Sequence, residues 1–259
     1  MTSISQKRRS RIIEELGRNQ NIKVADLSNI LGVSDVSIRR DLQILEDSGL
    51  IKRVHGGAVA VPDPKLGAAL SDRWYRNREK KERIGKAAAE MIQKGDRVIL
   101  DSGTTPLLVA RNLPREFVSS GSLTVITSSL PIVRELGIYP NIHLILLGGV
   151  YLSAYDLTVG PQTIESLKNL HADKMFLGTD GLTFDQGITT ANVLEAEVDR
   201  AMVEASNQVI CVSDSSKIGV KGLVSIMPMT RMNTLITDND APPDFVGELR
   251  RNRVTVIQV

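Results

Sequence analysis

The stretch SDVSIRRDLQILEDSG at residues 34–49 decides the fold of the N-terminal part of the chain. Its apolar residues recur at the spacing of one helical face: Ile38, Leu42 and Leu45. The same spacing turns three polar side chains away from that face: Arg39, Arg40 and Gln43. The pattern therefore predicts a helix that buries one side and projects two adjacent arginines from the other.

The start of this helix is specified by its own residues. Ser34 can cap the first turn with its hydroxyl, and Asp35 places negative charge near the positive end of the helix dipole. A helix with two arginines near its start suits an anionic groove. An ordinary solvated surface carries the same kind of basic face, so the helix alone leaves both interpretations open.

The flanking residues predict a winged helix-turn-helix. Apolar residues upstream indicate two further short helices, the first around Ile12, Ile13 and Leu16 and the second around Val24, Leu27, Ile30 and Leu31. Gly32-Val33 forms the tight turn before Ser34, which is the helix-turn-helix arrangement. After Leu50, alternating residues and a Gly56-Gly57 pair predict a hairpin, the wing.

These residues resemble the DeoR family of bacterial transcription regulators. That family carries V-S-x-x-(S/T)-I-R-R-D-L followed by V-H-G-G-A, and the chain matches it at Val33-Ser34, Ser37–Leu42 and Val54–Ala58. The resemblance implies a double-stranded DNA operator as partner. The candidate DNA contacts are Ser37, Arg39, Arg40 and Gln43 on the helix, with Arg53 and His55 in the wing. His55 is equally compatible with a structural role in the wing.

Charge is distributed unevenly along the 259 residues. The net charge is +2, but residues 1–86 hold 18 basic and 11 acidic side chains, whereas 87–259 hold 14 and 19. The basic excess lies where a polyanion would bind. Basic residues at the start, Lys7, Arg8, Arg9 and Arg11, could touch phosphates, or they form a frayed charged terminus.

Other features of the composition exclude several classes of protein. No apolar run approaches the ~18 residues that span a bilayer, and the first ten residues lack the apolar core of a signal peptide. We therefore expect a cytoplasmic protein with no membrane partner. The single cysteine, Cys211, excludes an internal disulfide and fits a buried strand better than a nucleophile. We expect no cofactor and no metal.

A break in composition separates two predicted domains. Residues 60–67, AVPDPKLG, lack periodicity and carry two prolines, which predicts a linker over 60–71 between a DNA-binding domain at 1–59 and a second domain at 72–259. The charged segment 72–96 predicts one helix, or a helix with an irregular start. Its charge run is most simply a solvated face, with a role in transmitting ligand state or pairing subunits as the alternative.

From Arg97 onward, β-branched runs alternate with helical stretches. The strand candidates are Arg97–Leu100, Leu123–Thr127, Ile142–Leu147, Lys174–Leu177, Gln208–Val212, Asn233–Thr237 and Val254–Val259. The helical stretches between them are Pro106–Leu113, Pro131–Leu136, Pro161–Leu170 and Val193–Ser206. This alternation predicts a Rossmann-like α/β domain, a largely parallel sheet covered by helices on both faces, with ligands beyond the carboxyl ends of the strands.

Three loops at those strand ends carry candidate binding groups. Residues 101–105 combine a carboxylate, three hydroxyls and a glycine at a strand-to-helix turn, which predicts a phosphate cradle. A polar turn without a ligand would have the same composition. Asp180-Gly181 offers a carboxylate for sugar hydroxyls, and the third loop offers Asp214 and Lys217, whose ammonium is a point charge for a phosphate.

These loops resemble the effector domain of the DeoR family, together with Gly148-Gly149 and the EAEV at 195–198. That domain is similar in fold to ribose-5-phosphate isomerase, and the family's sensor domains generally bind phosphorylated sugars. The resemblance implies that the phosphate of the ligand is bound by Ser102, Gly103, Thr104, Thr105 and Lys217. Asp101 lies in the same loop. Asp180 and either Glu195 or Glu197 would face the sugar, and we favour Glu195. A helix N-terminal charge for Glu195 and a surface role for Lys217 are the alternatives.

Two departures from the isomerase pattern predict binding without turnover. The isomerase has D-G-x-D where this chain has Asp180–Thr183, so the second acid is missing. It also has a Lys-Gly-Gly element where this chain has Gly187–Thr190, with no lysine. Isomerisation needs a positioned base and groups that stabilise the enediolate. We therefore expect no enzyme activity.

The sequence thus predicts a repressor of a carbohydrate-utilisation operon that is relieved by a phosphorylated sugar. A single winged helix offers little surface for a specific site, so we expect a homodimer or homotetramer. Two alternatives remain: a sugar-phosphate isomerase with an appended DNA-binding domain, and an activator or architectural protein whose second domain only oligomerises.

Overall fold

The structure, a computed structural model, describes residues 4–19, 21–47, 51–54, 56–60 and 68–259. The chain divides into two compact units, residues 1–79 and 80–259. The predicted boundaries around a 60–71 linker stay a prediction, since residues 61–67 lie outside the described residues.

The first unit holds three helices, a small sheet and a fourth helix. Its elements are α1 (Ile4–Asn19), β1 (Asn21–Lys23), α2 (Val24–Leu31), α3 (Asp35–Asp47), β2 (Ile51–Val54), β3 (Gly57–Ala60) and α4 (Ala68–Tyr75). The strands pair antiparallel in the order β1-β3-β2. This is the winged helix-turn-helix that the sequence predicts.

The core of this unit is formed by the apolar faces read from the sequence. Ile12, Leu16 and Leu27 are buried against the α3 residues Ile38, Leu42 and Leu45. Gly32 ends α2 with φ +63, a backbone conformation that only glycine adopts at little cost. Ile30 differs from the prediction because it is exposed, which leaves Val24 and Leu27 as the buried residues of α2.

The second unit begins within a helix and continues as alternating strands and helices. Its helices are α5 (Arg78–Ala89), α6 (Thr104–Arg111), α7 (Arg115–Ser120), α8 (Leu130–Leu136), α9 (Pro161–Leu167), α10 (Val193–Glu204) and α11 (Pro243–Arg251). Its strands are β4 (Arg97–Leu100), β5 (Thr124–Thr127), β6 (His143–Leu146), β7 (Val150–Leu152), β8 (Leu157–Val159), β9 (Ala172–Leu177), β10 (Gly181–Thr183), β11 (Gly187–Thr190), β12 (Ser206–Val212), β13 (Val224–Met227), β14 (Thr234–Thr237) and β15 (Thr255–Gln258).

Among the described residues, seven strands form one parallel sheet in the order β15-β14-β12-β9-β4-β5-β6. All seven are the predicted strand candidates, so the α/β class is confirmed. The chain builds outward from β4 through β5 and β6, then returns to place β9 on the other side of β4. This reversal makes the β4/β9 carboxyl ends the position where such sheets bind ligands.

The charged segment 72–96 forms two helices rather than one. Helix α4 ends at Tyr75, and Asn77 adopts φ +52 before α5 begins at Arg78. Asparagine tolerates this left-handed conformation better than most residues, so it marks the break. Both alternatives, one helix or a helix with an irregular start, assumed a single helix over this segment, and the structure has two.

Candidate functional sites

The outward face of α3 carries the predicted DNA contacts. Arg39, Arg40 and Gln43 are exposed, on the side opposite the buried core residues. Ser34 accepts a hydrogen bond from the backbone N–H of Ser37 at 3.4 Å, and the two hydroxyls lie 3.1 Å apart. The predicted capping role of Ser34 is confirmed, and Ser37 contributes to the same turn.

A buried carboxylate on α3 escaped the sequence analysis. Asp41 is 2% exposed, and its Oδ2 accepts a hydrogen bond from Nε of Arg8 at 2.5 Å. An Nη1 of Arg9 lies 3.7 Å from the other oxygen. Two of the basic residues at the start of the chain therefore anchor α1 to α3, while Arg11 is exposed. The side chain of Lys7 is outside the described part of the structure.

The wing is tied to α3 through Arg53. Its Nη1 donates to Oε1 of Gln43 at 2.6 Å, and its backbone N–H donates to Oε1 of Glu46 at 2.8 Å. These bonds place one predicted wing contact beside one predicted helix contact. His55, the other wing candidate, lies outside the described residues.

In the second unit, the predicted cradle lies at the end of β4. Asp101, Ser102, Thr104 and Thr105 are buried, and Gly103 precedes the first turn of α6 with φ +104. No side chain caps α6 among the described residues. Backbone N–H groups of this first turn carry partial positive charge, which favours an anion.

Side chains from the end of β11 and the start of α10 meet the cradle at this point. Ser102 donates its hydroxyl to Oε1 of Glu195 at 2.9 Å, and Thr190 donates to Oε2 at 2.8 Å. Glu197 is exposed. The side chain of Asn192 accepts from the backbone N–H groups of Leu194 and Glu195, which fixes where α10 begins and turns Glu195 inward.

Asp180 lies at the same cluster. Its Oδ2 accepts from the backbone N–H of Ala191 at 3.0 Å, and the hydroxyl of Thr190 lies 3.4 Å away. Nζ of Lys217 is 3.8 Å from its Oδ1. The structure therefore brings Asp180, Glu195 and Lys217 together with the Ser102 loop.

A second carboxylate that the sequence did not single out is Asp199, one helical turn after Glu195. It is 3% exposed and hydrogen-bonded to Asp101. Burial, with the charges of Asp101 and Glu195, raises the pKa of Asp199 well above its ordinary value. Burial, with the charge of Glu195, raises the pKa of Asp101 to about 7. The spacing of four residues on α10 is the signal that could have revealed Asp199.

Besides Gly103, three glycines were predicted at the effector site, and two of them, Gly149 and Gly181, have a packing role. Gly148 and Gly149 follow β6, the outer strand of the sheet, two strands away from β4. A Cβ on Gly149 would lie 2.2 Å from Oγ1 of Thr163, and one on Gly181 would lie 2.2 Å from the carbonyl oxygen of Val220. A Cβ on Gly148 would meet nothing within 4 Å.

Asp214 caps the short turn that carries Lys217. Its Oδ1 accepts from the backbone N–H of Ser216 at 3.1 Å. The neighbouring Ser215 donates its backbone N–H to Asp238 at 2.7 Å, and Nζ of Lys80 lies 2.9 Å from Oδ1 of the same carboxylate. Lys80, on α5, is thus tied to the loop that carries Lys217.

In the residues that the structure describes, no group of three or more His, Cys, Asp or Glu side chains is placed to hold a metal ion. No helix in the described part of the chain is both long and apolar enough to cross a membrane. Cys211 is buried in β12, and burial raises the pKa of its thiol.

Two family models match the chain. One, described as the DeoR-like helix-turn-helix domain, matches residues 8–63, and the other, described as the DeoR C terminal sensor domain, matches residues 76–239.

Curated relatives match over most of the chain. The HTH-type transcriptional regulator GolR of Listeria innocua is 38% identical, covering 90% of both chains. The HTH-type transcriptional repressor GlcR of Bacillus subtilis is 32% identical, covering 95% of this chain and 93% of that one. The glycerol-3-phosphate regulon repressor of Escherichia coli is 31% identical, covering 91% of both.

Solved structures also match. Ribose 5-phosphate isomerase A from Methanocaldococcus jannaschii is 19% identical, with a TM-score of 0.40 over 57% of this chain and 56% of that one.

Proposed function

Because the chain belongs to the DeoR family of DNA-binding transcriptional regulators, we propose that it represses a carbohydrate-utilisation operon and that a phosphorylated sugar relieves this repression. Two relatives support the sign of regulation, since GlcR and the glycerol-3-phosphate regulon protein are both named repressors. The protein acts in the cytoplasm, where its operator lies.

Operator binding is assigned to the outward face of α3 and to the wing. The observation that carries this assignment is the exposure of Arg39, Arg40 and Gln43 on a helix whose opposite face is buried. Arginine can bond guanine edges in the major groove or phosphates. Ser37, Arg53 and His55 complete the proposed DNA-binding set. A homodimer or homotetramer would read repeated half-sites.

Effector binding is assigned to the β4/β9 switch point. Buried hydroxyls, the first turn of α6 and the ammonium of Lys217 provide complementary groups for a phosphate. Carboxylates at the same cluster, Asp180 and Glu195, would accept hydrogen bonds from sugar hydroxyls. The set is Asp101, Ser102, Gly103, Thr104, Thr105, Asp180, Glu195 and Lys217, with Gly148, Gly149 and Gly181 as the remaining candidates.

The second unit binds its ligand without converting it. Thr183 stands where the isomerase pattern has an acid, and 187–190 hold no lysine. Induction requires only that the ligand binds more tightly to the conformation that does not bind DNA, because couplings of ~1–3 kcal/mol change the affinity for DNA about 5–150-fold.

The first experiment measures melting of the full chain with a panel of sugar phosphates, each beside its free sugar. A ligand at 100 times its dissociation constant adds ~2.7 kcal/mol to stability. Stabilisation by one phosphorylated sugar, absent with its unphosphorylated form, is the expected result. Turnover of that sugar phosphate would instead favour an isomerase. If no compound shifts the melting temperature, the second unit would be interpreted as a domain that only oligomerises.

Two variants separate the sites. Arg40→Ala should abolish operator binding and keep the melting shift caused by the effector. Lys217→Ala should keep operator binding, and the effector should no longer release it from the operator. Arg251→Ala, an exposed arginine at the end of α11, serves as the matched charge control. Unchanged operator affinity in Arg40→Ala, or a normal response in Lys217→Ala, would show that the corresponding site is misplaced.

A further inference from the structure

An apolar side chain stands among the polar residues on the outward face of α3. Val36 is 76% exposed, although it is the second residue of a regular helix. It precedes Arg39, Arg40 and Gln43 by three, four and seven positions, so all four side chains share one face.

Local stability does not explain a valine at this position. The core face of α3 is complete without it, since Ile38, Leu42 and Leu45 are buried on the opposite side. Valine is also a poorer helix former than most residues, because its branched side chain loses rotamer freedom in a helix. An exposed valine in the first turn therefore neither packs in the core nor favours the helix.

The first turn of a recognition helix is the part that reaches base edges in the major groove. The groove offers one apolar feature there, the C5-methyl group of thymine. The hydroxyls of Ser34 and Ser37 lie 3.1 Å from each other and serve the cap of the helix. Val36 is thus the side chain of this turn suited to an apolar base contact.

We propose that Val36 contacts the C5-methyl group of a thymine in each operator half-site and so helps to determine the DNA sequence that the protein recognises. This inference rests on the proposed DNA-binding function and adds to it a specificity contact separate from the arginines. Arg39 and Arg40 can bond guanine edges or phosphates, whereas Val36 distinguishes thymine from the bases that lack the methyl group.

The test starts from a binding site obtained by selection from random double-stranded DNA with the full-length protein. Each thymine of that site is then replaced by deoxyuridine, which removes the methyl group and keeps the base pair. For the wild-type protein, we expect one thymine per half-site at which the replacement weakens binding about fourfold, the equivalent of one methyl group returned to water.

The variant Val36→Ala connects this thymine to the valine. It should bind the unmodified site more weakly than wild type and lose its sensitivity to deoxyuridine at that position, because the two changes remove the same contact. Ile30→Ala removes an exposed apolar side chain from α2 and should keep the full sensitivity. Melting curves of both variants check that each remains folded.

Three results would overturn the proposal: wild-type protein insensitive to deoxyuridine at every thymine, a selected site without thymine, or Val36→Ala as sensitive as wild type. Enrichment of no sequence at all is a different failure. It would overturn the proposed DNA-binding function and this contact with it, whereas the three other results leave that function intact.

Discussion

Replacing Asp41 by alanine tests how the recognition helix is held. The carboxylate is buried at 2% exposure and pairs with Arg8 at 2.5 Å and with Arg9 at 3.7 Å. Breaking a fully buried ion pair costs about 3–5 kcal/mol, because the remaining charge is left without a partner. The two arginine side chains are 22% and 24% exposed, so water can reach them. We therefore expect a loss of about 2 kcal/mol, below that range.

The measurement is urea denaturation of the full chain followed by a signal from the first unit. Asp35→Ala is the matched control, since it removes an exposed carboxylate from the same helix and should cost only about 0.3–1 kcal/mol through the helix dipole. Because Asp41 anchors α3 to α1, Asp41→Ala should also weaken operator binding. A change in stability no larger than that of the control would refute the anchoring role of this ion pair.

Three further results are expected. The pKa of Asp101 is about 7 in the folded state against ~3.9 in the unfolded state, so the folded protein holds an extra proton between these values and its stability should fall as pH rises from 4 to 7. In melting curves taken across this range, Asp101→Asn should make that fall smaller without removing it, because the raised pKa of Asp199 acts in the same direction. Gly181→Ala should lower the free energy of unfolding, measured by urea denaturation, by at least about 2 kcal/mol, because its Cβ would overlap a carbonyl oxygen. Gly148→Ala should change it by no more than about 0.5 kcal/mol, and equal effects of the two variants would contradict the packing role of Gly181. Lys80→Met removes the ion pair between α5 and Asp238. It should leave the operator affinity of the effector-free protein unchanged and reduce the effect of the inducing sugar phosphate in a titration. A full response to the sugar phosphate would show that this ion pair has no part in induction.

Local patterns were sufficient for much of this protein. The 3.6-residue spacing of Ile38, Leu42 and Leu45 predicted which face of α3 is buried, and Gly32 predicted the turn before it. Short β-branched runs predicted all seven strands of the parallel sheet. These features depend on neighbours within a few residues, so periodicity and turn chemistry reveal them.

The smaller antiparallel elements were not predicted. Strands β10, β11 and β13 form a separate antiparallel sheet, and β7 pairs with β8 in a hairpin. Each is three or four residues long. Several strands of the parallel sheet are no longer, but those strands alternate with helical stretches, and the small antiparallel strands do not.

The roles of individual polar residues required the tertiary structure. The sequence by itself determined the winged helix-turn-helix, the α/β class and the three polar loops at strand ends. Only the fold decided that Arg8 anchors Asp41, 33 positions away, and that Glu195 rather than Glu197 points inward with Asp199 behind it. A charged residue has the same local pattern whether it is solvated or buried, and burial depends on which distant segment packs against it.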